Sequence, residues 1–150
     1  MKSKLFTSLL LLLITMSVSA QDIVEMIKRD INAERRTILA EAIDIPQEKA
    51  TEFWAIYNEM EQKLGVLTDM RVANISKFAD NYDNVTDHIA DDLANTFFTI
   101  HMDRYKIYKT YYKKMSKVIS KKEASRFFQL LSQIQLIIDM QIAAEVPLIE

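Results

Sequence analysis

The chain has 150 residues, with 19 basic and 21 acidic side chains, no cysteine, one glycine and two prolines. Without cysteine, the chain has no disulfide bond, no thiol nucleophile and no lipid attachment through a cysteine. A slightly acidic chain is a poor nucleic-acid binder, and one glycine cannot form a phosphate-binding loop for a nucleotide. Sheets and irregular loops need more turn residues than this, so the composition favours an all-α fold.

The first twenty residues have the pattern of a secretory signal peptide. Lys2 and Lys4 form a basic segment, residues 5–14 are almost all apolar, and small residues lead up to Ala20. The apolar run is too short to span a membrane. We therefore expect export and cleavage after Ala20. The mature chain, residues 21–150, would then carry 17 basic and 21 acidic side chains, because the leader removes two lysines and no acid. No other segment has about 18 consecutive apolar residues, so we expect one soluble all-α domain over 21–150.

Two helices are predicted in the first half of the mature chain. The first runs from about 22 to 42, with isoleucines on one stripe: Ile23, Ile27, Ile31 and Ile38. Proline fits the first turn of a helix, so Pro46 predicts the second helix at about 46–80. Its apolar residues recur at steps of three and four: Phe53, Tyr57, Met60, Leu64, Leu67, Ile75, Phe78 and Tyr82. Gly65 inside this helix indicates a bend or a close contact.

Two further helices follow a polar stretch at 81–86. Thr86 is a candidate N-cap for a helix over about 87–118. A heptad-like seam is predicted along it: Ala94, Phe98, His101, Tyr105, Tyr108, Tyr112, Met115 and Ile119. Ser120 and Glu123 predict a capping box that opens a fourth helix, which ends before Pro147. The apolar residues of this fourth helix cover more than one narrow stripe, so a partner must cover that width.

The helix lengths predict an elongated molecule. A helix of about 34 residues is roughly 50 Å long, whereas a compact domain of this size is only about 35–40 Å across. The two long helices therefore predict a thin helical layer with little interior. Such a layer exposes apolar faces, so we expect a homodimer, an exposed groove, or both.

One ten-residue pattern occurs twice, 74 positions apart, at the predicted starts of the second and fourth helices. In each copy an aliphatic residue precedes a turn or cap residue, and an aromatic pair follows in the second helical turn. The defining positions are Ile45, Pro46, Lys49, Phe53 and Trp54 in the first segment, and Ile119, Ser120, Glu123, Phe127 and Phe128 in the second. The repetition predicts two related helix-opening units.

At these two segments the chain resembles the Spy/CpxP family of exported bacterial helical proteins, which carry two LTxxQ motifs at helix starts. Isoleucine stands at both Leu positions, Pro46 and Ser120 stand at the Thr positions, and Lys49 and Glu123 stand at the Gln positions. The resemblance implies four helices, with the two long ones in an elongated, curved antiparallel layer that forms a homodimer in the periplasm. It also implies an ATP-independent chaperone or an envelope-stress accessory.

A cluster on the third helix is the candidate client-contacting site. Its aromatic members are Tyr105, Tyr108, Tyr111 and Tyr112, and its basic members are Lys106, Lys109 and Lys113. Tyrosine suits adaptable binding of many sequences, and lysines attract acidic partners. The alternative is that the tyrosines belong to the core or the dimer seam, and that the lysines complement the helix dipole. Tyr111 lies off the predicted seam, so it is expected to be exposed.

The two histidines support only a weak metal hypothesis. His88 with Asp91 or Asp92 would place two ligands on one helix face, which is too few for a defined site. His101 lies on the predicted apolar stripe, where packing is the simpler role. We recognise no catalytic motif and expect neither an enzyme nor a cofactor.

These patterns lead to one main hypothesis and two rivals. The main hypothesis is a periplasmic, nucleotide-independent chaperone or envelope-stress protein that holds partly folded exported proteins on an amphipathic helical surface. The first rival is a regulatory adaptor that docks on the periplasmic domain of a membrane sensor. The second is a protein that buffers metal weakly.

Overall fold

The computed structural model describes residues 35–149, and within this range the chain is all-α, as predicted, with four helices and no strand. Helix α1 covers 35–42 of the described residues. It is followed by α2 (Ala50–Asp80), α3 (Asp87–Val118) and α4 (Lys121–Glu145). The predicted leader, its cleavage site and the isoleucines at 23, 27 and 31 lie outside the described residues.

The helix ends follow local capping chemistry. The Thr86 hydroxyl accepts a hydrogen bond from the Ile89 backbone N–H at 3.3 Å and so opens α3, as predicted. At the other junction α2 begins slightly later than predicted. Pro46 is followed by a single 3₁₀ turn, Gln47–Lys49, in which the Lys49 N–H donates to the Pro46 carbonyl at 2.8 Å.

Helices α2 and α3 form a long antiparallel pair. Lys77 near the end of α2 lies 2.9 Å from Asp92 near the start of α3. Glu59 near the start of α2 lies 2.8 Å from Lys114 near the end of α3. With 31 and 32 residues, these helices are about 46–48 Å long.

Helix α4 runs in the same direction as α2 and contacts both long helices. Phe53 packs on Phe127 near the two helix starts, and Arg71 pairs with Asp139 further along. The α1 segment covers the first half of α2, where Arg35 lies 2.9 Å from Glu61. We call the half of the molecule that holds the starts of α2 and α4 the proximal half, and the other end the distal half.

The core is divided unequally between these halves. The larger cluster occupies the proximal half and the middle: Leu39, Ile43, Phe53, Tyr57, Met60, Leu64, Leu67, Ile100, Tyr108, Tyr111, Met115, Val118, Ile119, Ala124, Phe127 and Leu131. The smaller distal cluster has two buried members, Ile138 and Ile142, with Val72, Ile75, Ile134 and Val146 packed against them. Phe78 and Leu93 are also buried in the distal half but belong to neither cluster. Packing is therefore much thinner at the distal end.

The predicted seam of α3 is wrong in its first half. Phe98 and Tyr105 of that seam are 56% and 69% exposed. The face that is buried instead carries Leu93, Ile100, Arg104, Tyr108, Tyr111, Met115 and Val118. The prediction chose the wrong stripe because the buried face includes an arginine, whereas the neighbouring stripe carries more apolar residues.

Helix α4 is the one described helix that is long and apolar enough to cross a membrane by length and composition. Phe127 and Leu131 of α4 are buried in the larger core, but only 22% of its apolar window is buried within the chain. Its predicted broad apolar face is only partly covered within the chain, because Leu136, Ile137 and Met140 are exposed.

Gly65 makes no close contact, which corrects one of the two roles expected for it. A Cβ built at this position would meet nothing within 4 Å, and its φ is not positive. The glycine therefore lowers the helical propensity of α2 without serving a close packing contact.

We predict that Gly65→Ala stabilises the protein by about 0.5–1 kcal/mol, because alanine loses less backbone entropy in a helix and the space is open. Urea unfolding followed by circular dichroism measures this change. The matched control is Ala73→Gly at another exposed position of α2, which should destabilise the protein by a similar amount. A destabilised Gly65→Ala variant would contradict the open environment at this position.

Candidate functional site

The two repeated segments lie side by side in the proximal half. The Phe53 and Phe127 rings meet edge to face, with centroids 5.6 Å apart. Ser120 caps α4 by accepting from the Glu123 N–H at 3.1 Å. The Glu123 carboxylate does not complete the predicted capping box, because it accepts instead from the Asp44 N–H at 3.2 Å. This bond ties the start of α4 to the chain just before the first segment.

The second aromatic residue of each segment extends this contact. Trp54 lies 5.3 Å from Tyr57, and Phe128 lies 5.6 Å from Tyr108 and 6.2 Å from Tyr112. Each such aromatic pair adds about 0.5–1.5 kcal/mol beyond the area it buries. The Trp54–Tyr57 pair lies within α2, whereas Phe128 joins α4 to α3 and the Phe53–Phe127 pair joins α2 to α4.

The remaining positions of the two segments differ in burial. Ile119 is buried, and Ile45 packs against the same core from a half-buried position. Pro46 is exposed, and Lys49 lies 3.5 Å from Glu52 in a solvent-exposed ion pair. Exposed pairs of this kind add little stability, so the apolar members carry most of the structural role.

The four tyrosines of the candidate site do not share one surface. Tyr105 is exposed, Tyr112 is half-buried, and Tyr108 and Tyr111 are buried. The expectation that Tyr111 is exposed is wrong, since this ring is only 1% accessible and lies in the main core. Burial raises the pKa values of Tyr108 and Tyr111 to about 12. In this arrangement a client would contact Tyr105 and the edge of Tyr112.

The lysines of the site remain at the surface. Lys109 and Lys113 are exposed, and the Lys106 ammonium donates to Asp103 at 2.7 Å on the same helix. The neighbouring Lys114 instead crosses to Glu59 on α2, where its hydrogen bonds hold the carboxyl pKa below its usual value. The candidate lysines therefore form a solvated basic strip beside Tyr105.

The distal half carries an exposed apolar surface. The helix lengths predicted exposed apolar faces, but the sequence did not predict which residues form them. We call this surface the distal apolar surface, and it consists of Phe98, Met102 and Tyr105 on α3 with Leu136, Ile137 and Met140 on α4. The α3 residues follow helical steps of four and three, so they share one face. The two strips lie on the outer faces of neighbouring helices, whose inner faces meet where Arg104 of α3 reaches Asp139 of α4 at 3.6 Å. Neither Met102 nor Met140 was singled out from the sequence. A search for a second apolar stripe on each of the two helices could have identified them.

A charged cluster lies beneath this surface. Asp139 accepts from Arg71 and from Gln135 at 2.8 Å through one oxygen, while its other oxygen lies 3.6 Å from Arg104. Arg104 is only 9% exposed, and burial lowers its pKa from the usual value. Two guanidinium groups thus share a single carboxylate, which leaves the cluster with a net positive charge.

The two histidines have different environments. His101 packs against Phe97, with ring centroids 4.3 Å apart. Its pKa is lowered mainly by burial and, to a smaller extent, by the positive charge of Arg104. His88 is 85% exposed and lies 3.6 Å from Asp92. Across residues 35–149 no group of three or more His, Cys, Asp or Glu side chains is placed to hold a metal ion.

No family model, curated protein or solved structure matches the chain. The geometry of the described residues therefore defines the kind of protein. It is an all-α protein of long helices, which aromatic contacts join at the proximal end and which exposes an apolar surface at the distal end.

We predict that Phe127→Ala destabilises the fold by about 3–5 kcal/mol, because it removes a fully buried ring from the junction of the two segments. Phe98→Ala, the same change at an exposed ring, should alter the free energy of unfolding by less than about 1 kcal/mol. Chemical denaturation measures both. Equal effects of the two substitutions would show that the aromatic junction is not the main source of stability.

We predict that His101 contributes to a loss of stability on acidification. The pKa of His101 is lowered in the folded chain from its usual value of 6.5. Its contribution to the free energy of unfolding is therefore fully present above pH 6.5 and is lost as the pH falls through the pKa of the folded state. The His101→Asn variant should therefore lose less stability than the wild type between pH 7.5 and 5.

Urea unfolding at several pH values within this interval measures the difference. The matched control is His88→Asn, on an exposed ring of the same helix. A pH dependence that is unchanged in His101→Asn would contradict the burial of the His101 ring.

Proposed function

We propose that the protein is an exported, non-enzymatic chaperone that binds partly folded proteins on the distal apolar surface without using a nucleotide. The observation that carries this proposal is the placement of side chains on α3. An arginine occupies the buried face, while Phe98, Met102 and Tyr105 face solvent. Contiguous exposed apolar residues of this kind are typical of interaction sites.

The chemistry of this surface suits weak binding of many sequences. Methionine is unbranched and polarizable, and tyrosine combines a broad apolar ring with a polar tip. The exposed Lys109 and Lys113 continue the same helix beyond Tyr105 and would attract acidic clients at a distance. The surface therefore offers adaptable contact together with electrostatic attraction.

The cellular setting of the proposal comes from the sequence. The leader at 1–20 supports export with cleavage after Ala20, and the resemblance of the two segments to the Spy/CpxP motifs supports a periplasmic location. The long α2–α3 pair with apolar residues left on its outside also supports a homodimer, since a second copy would cover part of that surface.

The proposal is tested by light scattering of reduced α-lactalbumin, an acidic client that aggregates when dithiothreitol opens its disulfides. The reductant leaves the chaperone itself unchanged, because the chain contains no cysteine. We expect suppression of scattering at equimolar protein. For the double variant Phe98→Ser/Met102→Ser, about five times more protein should be needed for the same suppression of scattering, because two central apolar contacts are removed.

The matched control is Val66→Ser/Tyr82→Ser, which removes two exposed apolar side chains outside the distal apolar surface and should keep full suppression. Sedimentation of all three proteins at micromolar concentration provides a second readout. A wild-type dimer that dissociates in the Phe98/Met102 variant would place the dimer contact on this surface. Absence of suppression by the wild type, or equal suppression by both variants, would reject the proposed client surface.

A further inference from the structure

A cavity of about 530 Å³ lies between the distal halves of α2, α3 and α4. The last described residues, 146–149, line one side of it. Its volume falls within the range of about 300–1,000 Å³ that is usual for small-molecule sites. It coincides with the region where the distal core is thinnest.

The walls of this cavity are predominantly apolar. Helix α2 contributes Ile75 and Phe78, α3 contributes Leu93 and Ile100, and α4 contributes Ile142. Four of these side chains are buried and Ile75 is half-buried. A cavity with such walls favours an apolar occupant over water, because water would find few hydrogen-bond partners there.

One part of the wall is charged. Arg71 and Asp139 both line the cavity, and Arg104 lies 3.6 Å from the same carboxylate. Arg104 does not line the cavity itself, but it gives the cluster beside this partly enclosed apolar space one more positive than negative charge. An anionic group at Arg71 would balance this charge and gain charge-assisted hydrogen bonds.

The cavity has an opening beside α3 and the C-terminal residues. Phe97 lines the cavity and is half exposed, and Leu148 and Ile149 are also exposed at its edge. These exposed apolar side chains mark the edge at which an extended apolar chain could enter the cavity. An occupant with one polar end could thus reach Arg71 while its apolar part contacts the walls.

We propose that this cavity binds a single-chain amphiphile, an acyl chain with an anionic head group, with the head at Arg71 and the chain among Ile75, Phe78 and Ile142. The apolar walls select the chain, and the excess of guanidinium over carboxylate selects the charge of the head. A free fatty acid and an anionic lysophospholipid both have this chemistry. The inference does not depend on the proposed chaperone function, since the client surface lies on the outside of α3 and α4.

The test is fluorescence titration with dansyl-undecanoic acid below its critical micelle concentration. Its emission should shift to the blue and saturate as the dansylated amphiphile leaves water for the cavity. Competition then uses laurate, dodecanol, lauroyl lysophosphatidylglycerol and lauroyl lysophosphatidylcholine, which share one chain length and differ in head group. We expect laurate to compete at a concentration at least about tenfold below that of dodecanol.

The competition also distinguishes the two sources of the ligand. Stronger competition by laurate identifies a free fatty acid, and stronger competition by the anionic lysophospholipid identifies a lysolipid. Either result supports the proposal, provided that the anionic compound exceeds its uncharged or zwitterionic counterpart. Equal competition by all four compounds would overturn the proposed head-group site.

Three variants test the geometry. Arg71→Met removes the charge but keeps an apolar side chain, so the preference for laurate over dodecanol should disappear. Ala143→Trp places a large ring in the cavity that Ala143 lines and should abolish binding of the dansyl probe. Ala144→Trp, the same change at the next exposed residue outside the cavity lining, is the matched control and should bind normally.

Thermal unfolding by circular dichroism confirms that each variant is folded before titration. If Arg71→Met unfolds, Ala143→Trp against Ala144→Trp still decides the location of binding. Binding that survives in Ala143→Trp would overturn the proposal, as would the absence of saturable binding in the wild type.

Discussion

The contact between Phe53 and Phe127 is the constraint on which the rest of the structure depends. It joins two residues that are 74 positions apart in the sequence, each near the start of its helix, and it sets α4 beside α2. The bond from the Asp44 N–H to Glu123 fixes the same junction from the backbone side. Both helices leave this junction together, and their distal ends are held by the small apolar cluster of Ile138 and Ile142, by α3 and by the charged cluster at Asp139.

This unequal distribution of packing explains the features of the distal half. The aromatic junction and the larger core occupy the proximal half and the middle, while the distal cluster has just two buried members, Ile138 and Ile142. Where apolar side chains are too few to fill the space between three helices, a cavity remains. The same shortage leaves α4 partly uncovered, with Leu136 and Met140 in solvent. The cavity and the distal apolar surface therefore both follow from the unequal distribution of buried apolar side chains between the two halves.

Arg104 links these two features. Its position on the buried face of α3 turns Phe98 and Tyr105 outward, and its guanidinium group joins Arg71 at Asp139. A buried ion pair adds little net stability compared with apolar packing. Arg104 on the buried face thus adds little to stability, and in the proposed binding of an anionic amphiphile it would contribute the extra positive charge beside Arg71.

The sequence by itself determined the all-α class, the bounds of α3 and the caps at Thr86 and Ser120, because these depend on turn residues and on hydroxyl groups within a few positions. It also located the two aromatic segments, although not their contact in space. Only the tertiary structure decided that Tyr111 is buried, that Glu123 bonds to Asp44, and that Arg104 rather than Phe98 faces inward. Helix α3 carries two stripes with the same helical spacing, and spacing alone cannot choose between them. The neighbouring helices make that choice, because the acid that Arg104 approaches belongs to α4.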